Sequence, residues 1–168
     1  MFSVKDIQIE ETRAQIACML NELWHSRLPY IHWSNVVRNT HYVCYVLKWQ
    51  QAVVGVAIWS SPVAQHRMKN GKTTLELRRL ALSDVCPKNT ASCVLSKMIK
   101  MIIAKFPDIS LLVSYQDKEV HLGTIYKASN WQATAESLPP ANPWGSHKRT
   151  RNNIQSTSPK VRWEYALG

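Results

Sequence analysis

A chain of 168 residues, 45% of them hydrophobic, suits one domain with its own packed core and excludes wholesale disorder. No apolar run approaches the ~18–20 residues that span a bilayer. The start Met1-Phe2-Ser3-Val4-Lys5-Asp6 lacks the apolar stretch of a signal peptide, so the expectation is a soluble cytoplasmic protein without a membrane partner. Lys and Arg total 21 against 11 Asp and Glu, a formal charge of +10. That charge biases partners toward polyanions, because each cation that neutralises a phosphate releases a counterion.

In chain order, Ile16, Met19, Leu20 and Leu23 predict an amphipathic helix over residues 11–28, with Thr12 as its cap and Pro29 as its stop. An irregular stretch, 29–39, holds Tyr30, His32 and Trp33. Runs rich in β-branched and aromatic residues at 42–47 and 53–59, linked through Gln50-Gln51, predict an antiparallel hairpin. A polar loop at 62–72 leads to a third strand at 74–83. A helix follows over about 91–105, burying Val94, Leu95, Met98, Ile99 and Ile102 and turning Lys97, Lys100 and Lys105 outward. Phe106-Pro107-Asp108 stops it, and a strand at 110–115, a short helix at 124–129 and a last strand at 161–166 complete the order. The expected fold is α/β (α+β): one domain over 1–168, a mixed central sheet flanked by helices.

The tail after residue 138 is expected to be loop-rich, with a basic segment at about 139–160. There Lys148, Arg149 and Arg151 follow Trp144, and no acid intervenes before Glu164. Cations beside an indole combine phosphate attraction with base stacking, so Lys148, Arg149, Arg151, Trp144 and Trp33 are the candidate DNA-binding residues. The partner they suggest is double-stranded DNA. Cys18, Cys44, Cys86 and Cys93 form no CxxC pair and read as free thiols.

Three groups carry chemistry. The start of the second long helix collects unpaired N–H groups and a positive dipole end, which seats a phosphate. Lys88, Asn89, Thr90, Ala91 and Ser92 stand there as cofactor-binding candidates, although ordinary capping needs only one of them. Ser114, Asp117, His121 and Tyr126 place a hydroxyl, a carboxylate, an imidazole and a phenol around the carboxyl end of a strand, where open α/β sheets collect ligands. Asp117 or His121 suits a proton acceptor and Tyr126 a donor. Finally, His25, Asp117 and His121, with His32 as a further imidazole, match the residue types of a two-histidine, one-carboxylate iron site. A histidine at a helix end also serves simply as a dipole partner.

These residues carry a resemblance. Leu75-Glu76-Leu77-Arg78-Arg79-Leu80, Pro87-Lys88-Asn89-Thr90-Ala91-Ser92, Ser114-Tyr115-Gln116-Asp117 and His121-Leu122-Gly123-Thr124-Ile125-Tyr126-Lys127-Ala128-Ser129-Asn130-Trp131 together resemble the phage Mu Mom family. The resemblance covers residues 75–131 and extends to Trp24-His25-Ser26-Arg27-Leu28-Pro29 and the hairpin. It implies a GNAT-like acyltransferase fold and a DNA modification enzyme that places a carbamoylmethyl group on the exocyclic amine of adenine, hiding phage DNA from host restriction. It brings acetyl-CoA and iron into view as cofactors, and it marks Arg79, Asn89, Ser92, Ser114, Asp117, His121 and Tyr126 as functional. Arg79 would position charge. The chain departs from ordinary GNAT enzymes in that Pro87-Lys88-Asn89-Thr90-Ala91-Ser92 replaces their glycine-bearing acyl-CoA loop. Besides double-stranded DNA and an acyl-CoA-type molecule, a second copy in a homodimer is a candidate partner. Two other functions fit the same residues: a conventional N-acetyltransferase acting on a protein or small amine, and a non-enzymatic DNA-binding anti-restriction protein.

Overall fold

The Gln50-Gln51 link is a tight two-residue turn in which both residues take positive φ, 47° and 71°. Such a turn matches the right-handed twist of the strands it joins, and it sets β2 (Tyr42–Trp49) antiparallel to β3 (Ala52–Ser60). A computed structural model of the chain describes residues 2–24, 28–118, 122–137 and 159–168. Around the hairpin it assembles one seven-stranded sheet with the order β1-β2-β3-β4-β5-β7-β6. The added strands are β1 (Gln8–Thr12), β4 (Thr74–Leu82), β5 (Leu111–Asp117), β6 (Gln132–Ser137) and β7 (Lys160–Ala166). Every neighbouring pair is antiparallel except β4 with β5. The sheet is therefore mixed, as expected.

Helices cover both faces. On one lie α1 (Ala14–Trp24) and the short α2 (Ser34–Val37), packing Ala14, Ala17, Cys18 and Val36 on Cys44, Val56, Ile58 and Ala81. On the other lie α3 (Thr90–Lys105) and α4 (Thr124–Ala128). Here α3 buries the five predicted apolar residues, Val94, Leu95, Met98, Ile99 and Ile102, against Tyr45, Leu47, Trp59, Leu75 and Leu112. Among the described residues no helix is long and apolar enough to cross a membrane.

The structure corrects the first predicted helix. Residues 8–12 form edge strand β1, with Thr12 inside it rather than capping a helix, and α1 begins at Ala14. Its apolar stripe faces outward: Ile16 and Met19 are exposed and Leu23 is 72% exposed, while Ala14, Ala17, Cys18 and Asn21 face the sheet. Small residues let the helix backbone sit close to the strands. β1 and β6 carry mostly exposed residues, so neither shows the alternation by which a strand is recognised. The basic segment at 139–160 falls outside the described residues except for Pro159 and for Lys160, which opens β7.

Two irregularities shape the sheet's middle. Between Ile58/Trp59 and Arg79/Leu77 the β3–β4 register shifts by one, leaving Arg78 as the extra residue of a bulge. A one-residue shift turns the chain over. Leu75 and Leu77 face α3, yet beyond the bulge it is Leu80 and Leu82 that do so, and Ala81 joins the α1 side. Second, β4 and β5 pair only at Thr74–Leu111, Leu75–Leu112 and Glu76–Val113. Beyond them β4 stays on β3 and β5 stays on β7, so the sheet opens between Leu77–Leu82 and Ser114–Asp117.

Leucine truncations on α1 and α3 separate the two faces. Leu95→Ala should cost about 2–5 kcal/mol in chemical denaturation, whereas Leu23→Ala, on the exposed stripe, should stay within about 0.5 kcal/mol; a large loss at Leu23 would contradict the observed packing of α1.

Candidate functional site

The opening between β4 and β5 gathers the polar residues. Ser114 is the first β5 residue beyond the split, and strand alternation turns it toward α3 and α4. Its Oγ lies 2.8 Å from the Tyr126 Oη. Tyr126 is buried, stacked on Trp163 at 5.3 Å between ring centroids and edge-on to Trp131 at 5.6 Å. Burial raises the phenol's pKa, and the Ser114 hydrogen bond only partly opposes that, so Tyr126 holds its proton well above neutral pH. Gly123 sets α4 in place. With φ at +73°, it brings the backbone so close to Gln116 and Trp163 that a Cβ would lie 2.6 Å from the Gln116 Oε1. Gln116 in turn accepts the Trp163 indole N–H at 2.8 Å.

The start of α3 and the outer side of α4 enclose a cleft of about 340 Å³. All five predicted cofactor residues, Lys88, Asn89, Thr90, Ala91 and Ser92, line it, together with Leu82, Cys86, Thr124 and Ile125. No side chain caps the helix. Asn89 takes the left-handed conformation at φ 72°, and Thr90 and Ser92 donate their hydroxyls to the Pro87 and Asn89 carbonyls at 2.7 and 3.2 Å. The first backbone N–H groups of the helix thus face the cleft end without a side-chain acceptor, the arrangement that favours an anion. A helix start of this kind can seat an anionic group.

The opposite face of the same gap carries a charged cluster. Glu76, the last β4 residue before the split, is 8% exposed and accepts a hydrogen bond from the Val63 N–H at 3.1 Å. Burial raises its pKa, more than Arg78, the Val63 hydrogen bond, Arg79 and Arg162 lower it. Arg79 is brought to this face by the bulge and donates to the Pro29 carbonyl at 3.1 Å. Burial first, then the neighbouring Arg78, brings the Arg79 guanidinium down to about 10. Arg78 donates to Ser60 at 3.1 Å, and Arg162 pairs with Glu164 at 2.7 Å. The sequence offers one signal for Glu76, the single acid of a strand that also carries Arg78 and Arg79. Its face and its arginine neighbours are decided by the bulge.

The remaining predicted residues distribute as follows. Asp117 ends β5, and alternation turns it to the Glu76 face, away from Ser114 and Tyr126. His25 and His121 lie outside the described residues, as do Lys148, Arg149, Arg151 and Trp144. Trp33 is 37% exposed. His32 is held by Ser34, whose hydroxyl lies 2.7 Å from its Nδ1. Among the described residues no three His, Cys, Asp or Glu side chains gather into a metal-holding group. Of the iron candidates only Asp117 and His32 lie among the described residues. All four cysteines are free. Burial pushes the Cys44 thiol up to about 12, which keeps it protonated and inert.

With this geometry in place, a family model described as the Mom protein family matches residues 8–163. Comparison with curated proteins found no match. The fold is that of GNAT acetyltransferases. Superposition on the ribosomal-protein-S18-alanine N-acetyltransferase from Escherichia coli gives a TM-score of 0.64 at 8% identity, covering 95% of this chain and 93% of that one. A GNAT family acetyltransferase from Elizabethkingia anophelis with acetyl-CoA bound gives 0.61 at 14% identity, over 96% and 99% of the two chains. An IAA acetyltransferase from Bacillus cereus gives 0.60 at 14% identity, over the same shares of 96% and 99%.

The raised Glu76 pKa has a thermodynamic signature. A carboxyl whose folded pKa exceeds its unfolded one stabilises the fold fully below the unfolded value and loses that contribution as pH rises through the folded value. Glu76→Gln removes the titration. Its stability relative to wild type should therefore rise as the pH is raised above about 4, read as the difference in Tm across the acid range; a difference independent of pH would show Glu76 to be unperturbed.

Proposed function

Since the chain belongs to the Mom protein family, we propose that it is a GNAT-type transferase that modifies the exocyclic amine of adenine in DNA, placing a carbamoylmethyl group there with an acyl-CoA-type cofactor. The observation that carries this reading is the split between β4 and β5, with Ser114 and Tyr126 on one side and Glu76 on the other. A donor lying along the α3–α4 cleft and an acceptor arriving from the α1 side meet through that gap.

Lys88 to Ser92 and the start of α3 would hold the anionic part of the cofactor. When bound, a coenzyme A thioester would supply an acyl carbon and a thiol leaving group, so the step these residues serve forms an N–C(=O) bond and releases the thiol; the methylene-linked carbamoylmethyl group needs a nitrogen-bearing donor in addition to that thioester. The residues of the chain supply the proton traffic. An adenine amine is a weak nucleophile, and it must lose a proton as its new N–C bond forms. In this reading Glu76 accepts that proton, since burial makes its carboxylate a stronger base than an exposed one. Tyr126, kept protonated by burial and oriented by Ser114, is placed to donate to the departing atom. Arg79 and Arg162 lower the cost of carrying the Glu76 carboxylate on the acceptor side. Asp117 shares that side, and a role next to the acceptor suits it better than one beside Tyr126.

The name of the Elizabethkingia neighbour includes bound acetyl-CoA, which favours the cofactor class and is equally compatible with N-acetyl transfer to another amine. Nucleoside analysis separates the two. DNA from cells expressing the protein should contain a deoxyadenosine heavier by one carbamoylmethyl group. Tyr126→Phe and Glu76→Gln should each reduce its yield by about 10²–10⁴-fold while leaving the protein folded. Unmodified deoxyadenosine throughout, with an acetylated protein or small amine appearing instead, would replace this reading by the conventional one.

A further inference from the structure

Residues 28–33 form a short segment between α1 and α2 on the acceptor side. Arg79 holds its backbone at the Pro29 carbonyl, and Ile31, buried in the α1-side core, anchors it from within. On either side of that anchor two large rings stay in solvent, Tyr30 at 52% and Trp33 at 37% exposure. Between them His32 sits edge-on to Tyr30 at 6.4 Å and tilted against Trp33 at 5.3 Å. The His32 ring is fixed in turn, accepting the Ser34 N–H on its Nδ1 at 3.2 Å. Three rings in a row, pinned at backbone and side chain and left open to water, do not serve the core.

Their surroundings select an occupant. The chain carries a formal charge of +10. Arg79 sits under the segment at the Pro29 carbonyl, and the exposed Arg38 caps the far end of α2. Aromatic faces beside guanidinium groups accept a stacked base with its phosphates neutralised. Because Arg79 and Glu76 share a sheet face, the rings stand on the side from which an acceptor would approach the gap. A base inside a duplex has both faces covered by its neighbours, so only a base taken out of the stack can use such a platform.

We propose that Tyr30, His32 and Trp33 form a stacking platform for an unpaired nucleobase of DNA, so that the acceptor is a base displaced from the helix and the protein favours DNA in which the base is already unpaired. This rests on the adenine-modifying function proposed above and specifies the state of its substrate. Binding measures it without any turnover. Fluorescence anisotropy of the full chain, at one fixed salt concentration, compares a labelled matched duplex, the same duplex with one adenine opposite an abasic site, and the single strand. The wild type should bind the unpaired adenine at least about tenfold more tightly than the matched duplex. Trp33→Ala and Tyr30→Ala should abolish that preference, while Trp33→Phe and Tyr30→Phe, which keep a ring, should preserve it. Equal affinity of the wild type for paired and unpaired DNA, or a preference that survives Trp33→Ala, overturns the platform and leaves the DNA-modifying function standing. Absence of binding to all three DNAs overturns both.

Discussion

The hydrogen bonding between β4 and β5 stops after Glu76 and Val113, and the rest of the site follows from that early end. Both strands continue because each has a second partner: β3 holds β4 to Leu82 and β7 holds β5 to Asp117. The sheet therefore opens without unravelling. Backbone groups along the gap lose their ladder partners, and buried N–H and C=O groups need others; an extended ligand arm lying in the gap can satisfy them. The bulge at Arg78, beside the split, adds the twist that separates the strands and turns Arg79 toward the face of Glu76.

The two sides of the gap differ in electrostatics. Toward α3 and α4, aromatic rings surround a phenol hydrogen-bonded to the Ser114 hydroxyl, and burial favours its neutral form. Toward α1, a buried carboxyl lies among three guanidinium groups, and the cost of desolvating it still outweighs their attraction. Burial raises the pKa of both groups, so each favours its protonated form. The cleft at the start of α3 lies on the phenol's side.

The acceptor side also owes its shape to packing. α1 meets the sheet through Ala14, Ala17 and Cys18, side chains short enough for a close approach. That close seat leaves the larger Ile16, Met19 and Leu23 in solvent. The segment after the helix is fastened by Arg79 at the Pro29 carbonyl and by the single buried side chain of Ile31. Tyr30 and Trp33 consequently stand beside the charged cluster instead of under a helix.

Much was legible in residue order alone. The hairpin, the buried stripe of α3, the short helix around Tyr126 and the helix start at Lys88 to Ser92 each rest on local patterns. Periodicity, β-branching and a breaker such as Phe106-Pro107 act over a few residues and need no distant partner. The family resemblance was carried by the same local runs. Tertiary structure alone decided which face of α1 is covered, because a helical stripe reports which residues share a side and not what lies against it. It alone revealed β1 and β6, whose exposed residues form strands only because β2 and β7 offer them hydrogen bonds. And it alone placed Glu76, Arg79 and Asp117 on one face with Ser114 and Tyr126 on the other, since a one-residue bulge and the end of a strand pairing depend on neighbours far apart in the chain.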